Sequence, residues 1–455
     1  MSGSHGGLTV AVLGKDGRTD ALLQGLALSP QVDTIVGASE HDSPGMLERC
    51  NRFLGGVALT DVSAITSFLK EAKPALVVIG PEEPLAAGLV DQIEGELHVP
   101  CFGPGKHLAQ VEASKSWTRL LLDKYSIDAN PDYEIVRSKA SVPSVVRRLG
   151  DFVVKPDGLT GGKGVKVLGE HLASMDHALS YAQDLIAEHG LVLIEERLEG
   201  EEFSLQSVTD GKAVVHCPVV QDHKRAREGD IGPNTGGMGS YSCADFSLPF
   251  LSEDDVTAAK AINERVVQAL GEEAGNRYHG VLYGGFIATR DGVKLIEYNA
   301  RFGDPEAMNV LPLLSSDLFE LCMMAATETL NPAAVKFRAK ATVCKYVVPE
   351  SYPDGKGAGD IIDVPSSAIP AADDPEARLY WAAVNKRGSK ILLTGSRALA
   401  AVGIADTLDV ASSRAQSLVD RITGPVRSRT DIGSKGLLDK KIAHMRQLRS
   451  LRGQA

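Results

Sequence analysis

Between residues 8 and 110, short apolar runs alternate with stretches whose apolar positions recur every three or four residues. LTVAVLG (8–14), VDTIVGAS (32–39), PALVVIG (74–80) and VPCFGPG (99–105) read as short buried strands. DVSAITSFLKEAK (61–73) has the spacing of an amphipathic helix. This alternation predicts a parallel α/β sheet. Ligands of such sheets bind beyond the carboxyl ends of the strands, here GKDGR (14–18) and GPEEP (80–84).

The texture changes after residue 110. VEASKSWTRLLLDKYSI (111–127) is helical in pattern, and FVVKPDGLTGGKGVKVL (152–168) reads as two strands joined by a glycine-rich loop. A helical pattern of about twenty residues precedes the strand LVLIEERLEG (191–200). SLQSVTDGKAVVHCPVV (204–220) and VLYGGFIATRDGVKLIEYNARFGDP (281–305) both place a D-G turn between alternating runs, a hairpin signal. ATVCKYVV (341–348) opens a third region of short strands, and KKIAHMRQLRSLRGQA is a basic, helix-like tail, solvated or docked. The expected division is 1–110, a parallel α/β domain; 111–335, an α+β region with a mobile lobe at about 130–200; and 336–455, a small β-rich α+β domain. DIGPNTGGMGSYS (230–242) carries four glycines, a proline and little apolar mass. It reads as a long loop rather than a core element.

Composition narrows the function classes. With 43% hydrophobic residues the chain can build real cores. Its net charge of −11 makes it a poor non-specific nucleic-acid binder. Cysteines at 50, 101, 217, 243, 322 and 344 show no C-x-x-C spacing, against zinc ribbons and redox motifs. Their scatter suits a reducing, cytoplasmic setting. The N-terminal stretch lacks a basic segment followed by an apolar run, so no secretory signal is expected, and no apolar stretch approaches a membrane span. The expected partners are small molecules, with neither nucleic acid nor membrane, on a monomer or small homo-oligomer.

Candidate chemistry concentrates in four places. GLTGGKGV (158–165) is not a P-loop: the spacing before Gly162 and Lys163 is one residue short, Gly164 replaces the Ser or Thr, and a strand follows. A glycine hairpin can still fold over phosphates through backbone N–H groups. In EYNAR (297–301) alternation puts Glu297, Asn299 and Arg301 on one face, with Ile296 and Tyr298 on the other. Carboxylate and amide oxygens suit magnesium beside nucleotide phosphates, and the guanidinium suits a transferring phosphoryl group. Lys155 ends a hydrophobic strand, so it needs an anionic partner. Lys115 lies on a helix, where solvation is the ordinary fate of a lysine.

Together these features look like an ATP-grasp enzyme, in which two α+β lobes clamp ATP. The match then narrows. VVIGPEEPLAAGLVD (77–91), FGPGKHLAQVEASK (102–115), VVKPDGLTGGKGV (153–165), IEERLEGEEFS (194–204), QDHKRAREGDIGPNTGGMGSYS (221–242) and IEYNARFGDPEAMNVLPLL (296–314) resemble the glycinamide ribonucleotide synthetase family. The likeness runs from about residue 8 to about 425, and QDHKR with GPNTGGMG is its most specific part. The resemblance implies ATP-dependent joining of glycine to 5-phosphoribosylamine through an acyl phosphate, with Mg²⁺ or Mn²⁺ as cofactor. It also implies roles. Lys115 and Lys155 contact the ATP phosphates and the loop with Gly162, Lys163 and Gly164 covers them, ordering when ATP binds. Glu195, Glu196 and Leu198 form the adenine hinge, and Glu202 binds the ribose. Glu297 and Asn299 hold the metal, while Arg301, Lys155 and Asp222 act at the reacting centre. Gly14, Lys15, Gly17, Arg18, Gly80, Pro81 and Glu82 face the sugar-phosphate amine. Asp222, Asn234, Thr235, Gly236, Gly237, Met238, Arg301 and Asp304 line the remaining substrate pocket.

Departures from the family pattern cluster. Its GSGGREHAL loop is GKDGRTDAL (14–22) here, its LPRLKSDL is LPLLSSDL (311–318), and its GGRVL is GSRAL (395–399). The AGT that precedes the last is AAV (382–384). Asp16 and Asp20 thus stand where the fold expects a phosphate cradle, with Lys15 and Arg18 left to offset them. Alternatives therefore stay open: a divergent synthetase, a paralogue using another amine or amino acid, or a nucleotide-binding regulator. Intact Lys155, Glu297, Asn299 and Arg301 speak against the last.

Overall fold

The computed structural model describes residues 7–159 and 164–451. The first region is a five-stranded parallel sheet in the order Arg52–Gly55, Val32–Ser39, Leu8–Leu13, Leu76–Ile79, Cys101–Phe102. Four of these strands carry the apolar runs that the pattern picks out. The fifth, Arg52–Gly55, is a half-exposed edge strand whose RFLG sequence has no such run. Helix Gly17–Ala27 follows the first strand because Asp16 caps it, accepting from the Thr19 N–H.

The small lobe is an antiparallel sheet in the order Tyr133–Val136, Val192–Glu196, Phe152–Lys155, Lys166–Val167. Helices Val142–Leu149 and Met175–His189 cover it around Phe152, Val146 and Ile194. The helix after the glycine loop spans 15 residues rather than twenty. Ser174 starts it as N-cap and Gly190, at φ +79°, ends it. The helical pattern at 111–127 likewise splits into Gln110–Ala113 and Lys115–Lys124. Between them Ser114 is extended and accepts from the Trp117 N–H, a cap interaction that outcompetes helix continuation.

The larger lobe pairs Val214–His216, Gly200–Thr209, Gly280–Thr289 and Val293–Asn299 in that order, with both D-G hairpins formed. Helix Glu253–Ala274 packs on it. The third region is built on Ala341–Pro349, Leu399–Ala405 and Ala377–Trp381, and this sheet takes two further strands from the middle of the chain, Gln221–Asp222 and Gly239–Ser242.

That corrects the loop expectation for 230–242. Ile231–Asn234 pairs with Arg225–Arg227, and Gly239–Ser242 is a fully buried strand. A Cβ on Gly239 would stand 2.2 Å from the Cys344 carbonyl oxygen, so the glycine permits the sheet contact. Tyr241 supplies the buried mass. The basic tail is a docking helix, Lys435–Ser450. It buries Leu437, Met445 and Leu448, and Lys441 and His444 both reach Glu201. All six cysteines are free, and among the described residues no helix is long and apolar enough to cross a membrane.

Candidate active site

A cavity of about 620 Å³ opens between the small lobe, the large lobe and the third region's sheet. Its floor is the strand Val293–Asn299. A bulge shifts the register between Gly285–Glu297 and Phe286–Leu295. Leu295 and Tyr298 are therefore both buried while Ile296, Glu297 and Asn299 are half-buried, and all five border the cavity. Glu297 and Asn299 are half-buried on either side of buried Tyr298, as alternation requires, and Ile296 is the residue the bulge leaves unpaired. The Ile296 carbonyl accepts from Arg119 Nη2 at 2.8 Å and from Lys155 Nζ at 3.3 Å.

The anionic partner that Lys155 needs is Glu195, at 2.5 Å, and Arg119 Nε reaches the same carboxylate at 2.6 Å. Burial alone would push Glu195 up, but the charges of Arg119 and Lys155 outweigh it and hold the carboxyl below its usual range. In this state Glu195 is engaged by two cations. Glu196 accepts from the Asp132 N–H at 2.8 Å and lines the cavity with Leu198 and Glu202. Lys115 Nζ donates to the Gly158 carbonyl at 3.0 Å, at the start of the glycine loop. Gly164 sits just beyond the cavity wall and its carbonyl accepts from Tyr181 Oη at 2.7 Å. Gly162 and Lys163 lie outside the described residues. Desolvation would raise the half-buried Glu297, but Lys224, Lys115, Lys155 and Arg301 hold it below the ordinary carboxylate range. Glu202 is lowered mainly by the charge of Lys224, 3.1 Å away.

The other end of the cavity is a ring of charges. Arg301 meets Glu82 at 3.0 Å and Glu112 at 2.8 Å, and Arg18 meets Asp16 at 2.6 Å and Glu82 at 3.4 Å. Burial would raise Glu82, but Arg301 and Arg18 lower it to about 2. Burial, then the neighbouring Glu82 charge, pushes Glu112 up to about 7 against the pull of Arg301. Arg301 is thus positioned by carboxylates rather than standing free.

Three expectations about the first strand-to-helix turn change. Asp16 does not lie open to a ligand; it caps the helix and pairs with Arg18, which lowers it to about 2 against burial. Asp20 faces away from the cavity, accepting from the Trp381 N–H at 2.9 Å and pairing with Arg49 at 3.2 Å, so it ties this domain to the third region. Lys15 offsets neither; it bridges Glu40 and Glu83, each at 3.1 Å. Gly14, Gly17, Gly80, Pro81 and Lys15 do not line the cavity, whereas Arg18 and Glu82 do. A Cβ at Gly14 would strike Thr19, and one at Gly17 would strike the Tyr346 hydroxyl, so both glycines serve packing.

Asp222, Asn234, Thr235, Gly236 and Asp304 line the third wall. Met238 does not; it is wholly buried in the core. Gly237, at φ +105°, lies directly behind Asp222. Arg397 from the third region clasps this wall, donating to the carbonyls of Gly236 at 2.5 Å, Gly237 at 3.2 Å and Asp304 at 2.9 Å. Its Nη2 also pairs with the Asp304 carboxylate at 3.1 Å. Asp222 Oδ1 is buried with no hydrogen-bond partner among the described residues. Burial, then the Glu306 charge, pushes this carboxyl up.

Sequence reasoning missed Arg119, Glu112 and Arg397 as site residues; Lys224 and Glu306 fall inside the segments 221–239 and 301–306 that the resemblance assigned to the substrate pocket, without being singled out. Arg119 is one helical turn from Lys115, so shared-face spacing carried the signal. Arg397 lies inside the altered GSRAL segment. Glu112 gave no local signal. Among the described residues no group of three or more His, Cys, Asp or Glu is arranged to hold a metal. The Glu297 carboxylate and the Asn299 amide oxygen are hard donors of the kind a divalent cation takes alongside phosphate and water.

Models of phosphoribosylglycinamide synthetase match three successive segments: its N domain at residues 8–112, its ATP-grasp (A) domain at 113–307 and its C domain at 342–435. The chain is 44% identical to the phosphoribosylamine–glycine ligase of Methanosarcina acetivorans over 442 residues, 97% of this chain and 98% of that one. It is 43% identical to that of Methanocaldococcus jannaschii over 451 residues, 97% and 100% of the two chains. Among solved structures, the phosphoribosylamine–glycine ligase of Thermotoga maritima superposes with a TM-score of 0.77 at 25% identity, covering 93% of this chain and all 100% of that one. The biotin carboxylase of Campylobacter jejuni shares the fold, with a TM-score of 0.71 at 13% identity over 96% of this chain and 95% of that one.

Proposed function

The chain belongs to the phosphoribosylglycinamide synthetase family, and we propose that its cleft joins glycine to 5-phosphoribosylamine with cleavage of ATP, giving glycinamide ribonucleotide, ADP and phosphate. The observation that carries this reading is one cavity holding Glu297 and Asn299 from one strand, Lys115 and Lys155 from the two sides of the nucleotide end, and Arg301 and Asp222 beyond them.

A carboxylate does not condense with an amine in water because its oxygen leaves poorly. Phosphorylation by ATP makes that oxygen part of a leaving phosphate, and the amine then attacks the acyl carbon. Lys155 and Lys115 neutralise phosphate charge. Glu297, kept ionised, and Asn299 would hold Mg²⁺, which supplies further charge neutralisation at the phosphates. Arg301, fixed by Glu82 and Glu112, presents a preorganised guanidinium to the transferring phosphoryl and acyl oxygens. Glu196, Leu198 and Glu202 form the nucleoside end. No nucleophilic side chain is required; positioning and electrostatics carry the reaction.

A second reading, a family member that uses another amine, is favoured by one observation. The helix N-terminus after the first strand, where a phosphate would meet free N–H groups, is already capped by Asp16. One assay tests both. Purified protein is given ATP, Mg²⁺ and glycine with 5-phosphoribosylamine or a panel of other amines, and ADP and amide products are measured. The proposal expects glycinamide ribonucleotide at kcat/KM of ~10⁴ M⁻¹s⁻¹ or more. A better amine from the panel selects the second reading. No glycine-dependent ADP with any amine overturns both.

A further inference from the structure

The helix Lys435–Ser450 carries a charged residue inside its apolar stripe. Leu437, Lys441, Met445 and Leu448 recur at helical spacing, and the three apolar members are buried. An apolar residue at 441 would serve docking as well, since a cation in such a place is costly without anionic partners. The helix has other anchors. Leu438 and Ile442 pack on the core, and Arg449 reaches the Asp255 carboxylate and the Phe250 carbonyl. Docking alone therefore does not account for a lysine at this position.

Lys441 borders the cavity, and so do its two partners, Glu201 and Asp230. Its Nζ donates to Glu201 Oε2 at 2.9 Å and lies 3.8 Å from Asp230 Oδ2. The other Glu201 oxygen, Oε1, meets His444 Nδ1 at 2.8 Å, so the helix engages both oxygens of this carboxylate. Asp230 in turn pairs with His223 at 2.9 Å and with Arg429 at 2.7 Å. Lys441 thus stands between the strand Gly200–Thr209 and the substrate wall.

The start of that strand needs such a hold. Gly200–Phe203 pairs along one edge with Gly280–Thr289, but on the other edge pairing begins only at Ser204 among the described residues. Glu202 lies in this half-paired stretch, next to Glu201. Its carbonyl accepts from Gln221 Nε2 at 3.1 Å. Its carboxylate pairs with Lys224 at 3.1 Å, but both side chains are exposed, so that contact restrains it weakly. Glu201 and Lys441 are mostly buried, at 13% and 18% side-chain exposure, and their contact is the firmer one.

We propose that Lys441 is a positioning residue of the nucleotide site: by holding Glu201 it fixes the Gly200–Glu202 stretch, and with it the Glu202 carboxylate that meets the ribose hydroxyls. This role rests on the ligase reading above and brings the docking helix into the site. A carboxylate already held in place loses less freedom when the nucleotide arrives, so its hydrogen bonds to the ribose contribute more to affinity.

Calorimetry with ADP and with 2′,3′-dideoxy-ADP, each with Mg²⁺, tests the proposal on wild type, Lys441→Met, Lys441→Arg and Arg449→Ala. Wild type is expected to prefer ADP by about 10-fold or more. In Lys441→Met the Kd for ADP should rise about 10-fold while that for the dideoxy nucleotide stays near wild type, so the preference collapses. Lys441→Arg should keep most of it. Arg449→Ala, which loosens the same helix away from the cavity, should lower the denaturation midpoint and leave the preference intact. An unchanged preference in Lys441→Met overturns the proposal, as does an equal loss of both nucleotides or a collapse of the preference in Arg449→Ala. If Lys441→Met does not fold, Glu201→Gln takes its place, and a wild-type preference in that variant overturns the proposal. A wild type that binds both nucleotides equally overturns it at its premise, the ribose contact of Glu202. A wild type that binds neither defeats the ligase reading instead, an outcome separate from a failure at Lys441.

Discussion

Arg301 and Glu297 sit two positions from each other's neighbour Asn299, yet their environments assign them different work. Glu297 is ionised because four cations surround it. Glu297→Gln keeps the shape and removes the charge. A Mg²⁺ titration of turnover should shift steeply upward, and an unshifted titration would remove the metal-ligand role. Arg301→Ala is expected to lower kcat by about 10²–10³, the scale for one preorganised donor at a reacting oxygen. Calorimetry should find the affinity for an ATP analogue nearly intact, since Arg301 is held by Glu82 and Glu112 at the far end from the adenine wall. A loss confined to ATP affinity would contradict that placement. Glu112 gives a pH prediction. Its carboxyl titrates near 7 against an ordinary 4.5, so between these values the folded state holds a proton that the unfolded chain has released. Folded-state stability should therefore fall as pH rises through that window. Glu112→Gln cannot titrate, so denaturant unfolding at about pH 5 and about pH 7 should show wild type losing ground to the variant. A pH-independent difference would count against the raised pKa.

At the scale of elements, glycine placement and caps decide more than apolar content. The segment 239–242 has one large apolar side chain, Tyr241, and still forms a buried strand because Gly239 at φ +149° lets its backbone meet that of Cys344. Gly239→Ala is expected to cost about 1–3 kcal/mol from the backbone conformation alone, with the carbonyl clash in addition. A chemical-denaturation midpoint equal to wild type would show that the strand adjusts. Asp16 illustrates the cap. The departure at GKDGR reads as charge set against a ligand, but the carboxylate is consumed by the Thr19 N–H and hydroxyl and by Arg18. The bulge beside Ile296 is a third case. It leaves the Ile296 carbonyl to Arg119 and Lys155, and so fastens the nucleotide-end cations to the strand that carries Glu297.

At the scale of the molecule, the cleft belongs to no single segment. Arg18 and Glu82 come from the parallel domain, Lys155 from the small lobe, Glu297 from the large lobe, and Arg397 and Lys441 from the third region. Arg397 joins the third region to Gly236, Gly237 and Asp304 through four hydrogen-bonded or ionic contacts. Arg397→Ala should lower kcat/KM for glycine by about 10-fold or more, in line with the ~1.5–3 kcal/mol carried by hydrogen bonds from charged donors. ATP-analogue affinity should stay close to wild type, because the nucleoside end does not touch Arg397. An equal loss of both would mean that the third region supports the whole cleft rather than the substrate wall.

Local pattern by itself determined the parallel domain, both D-G hairpins, the glycine hairpin and the shared face of Glu297 and Asn299. Each depends on residues close in sequence, where side-chain period and turn chemistry act directly. The same proximity made QDHKR with GPNTGGMG legible as a family signature. Only the tertiary structure decided what each charge meets. Lys155 found Glu195, Arg301 found Glu82 and Glu112, Asp20 turned to Trp381, and Gly239–Ser242 paired with a strand that begins a hundred residues later, Ala341–Pro349. A charge is attractive or costly according to its partner and burial, and both are fixed by contacts between distant segments that no local period encodes.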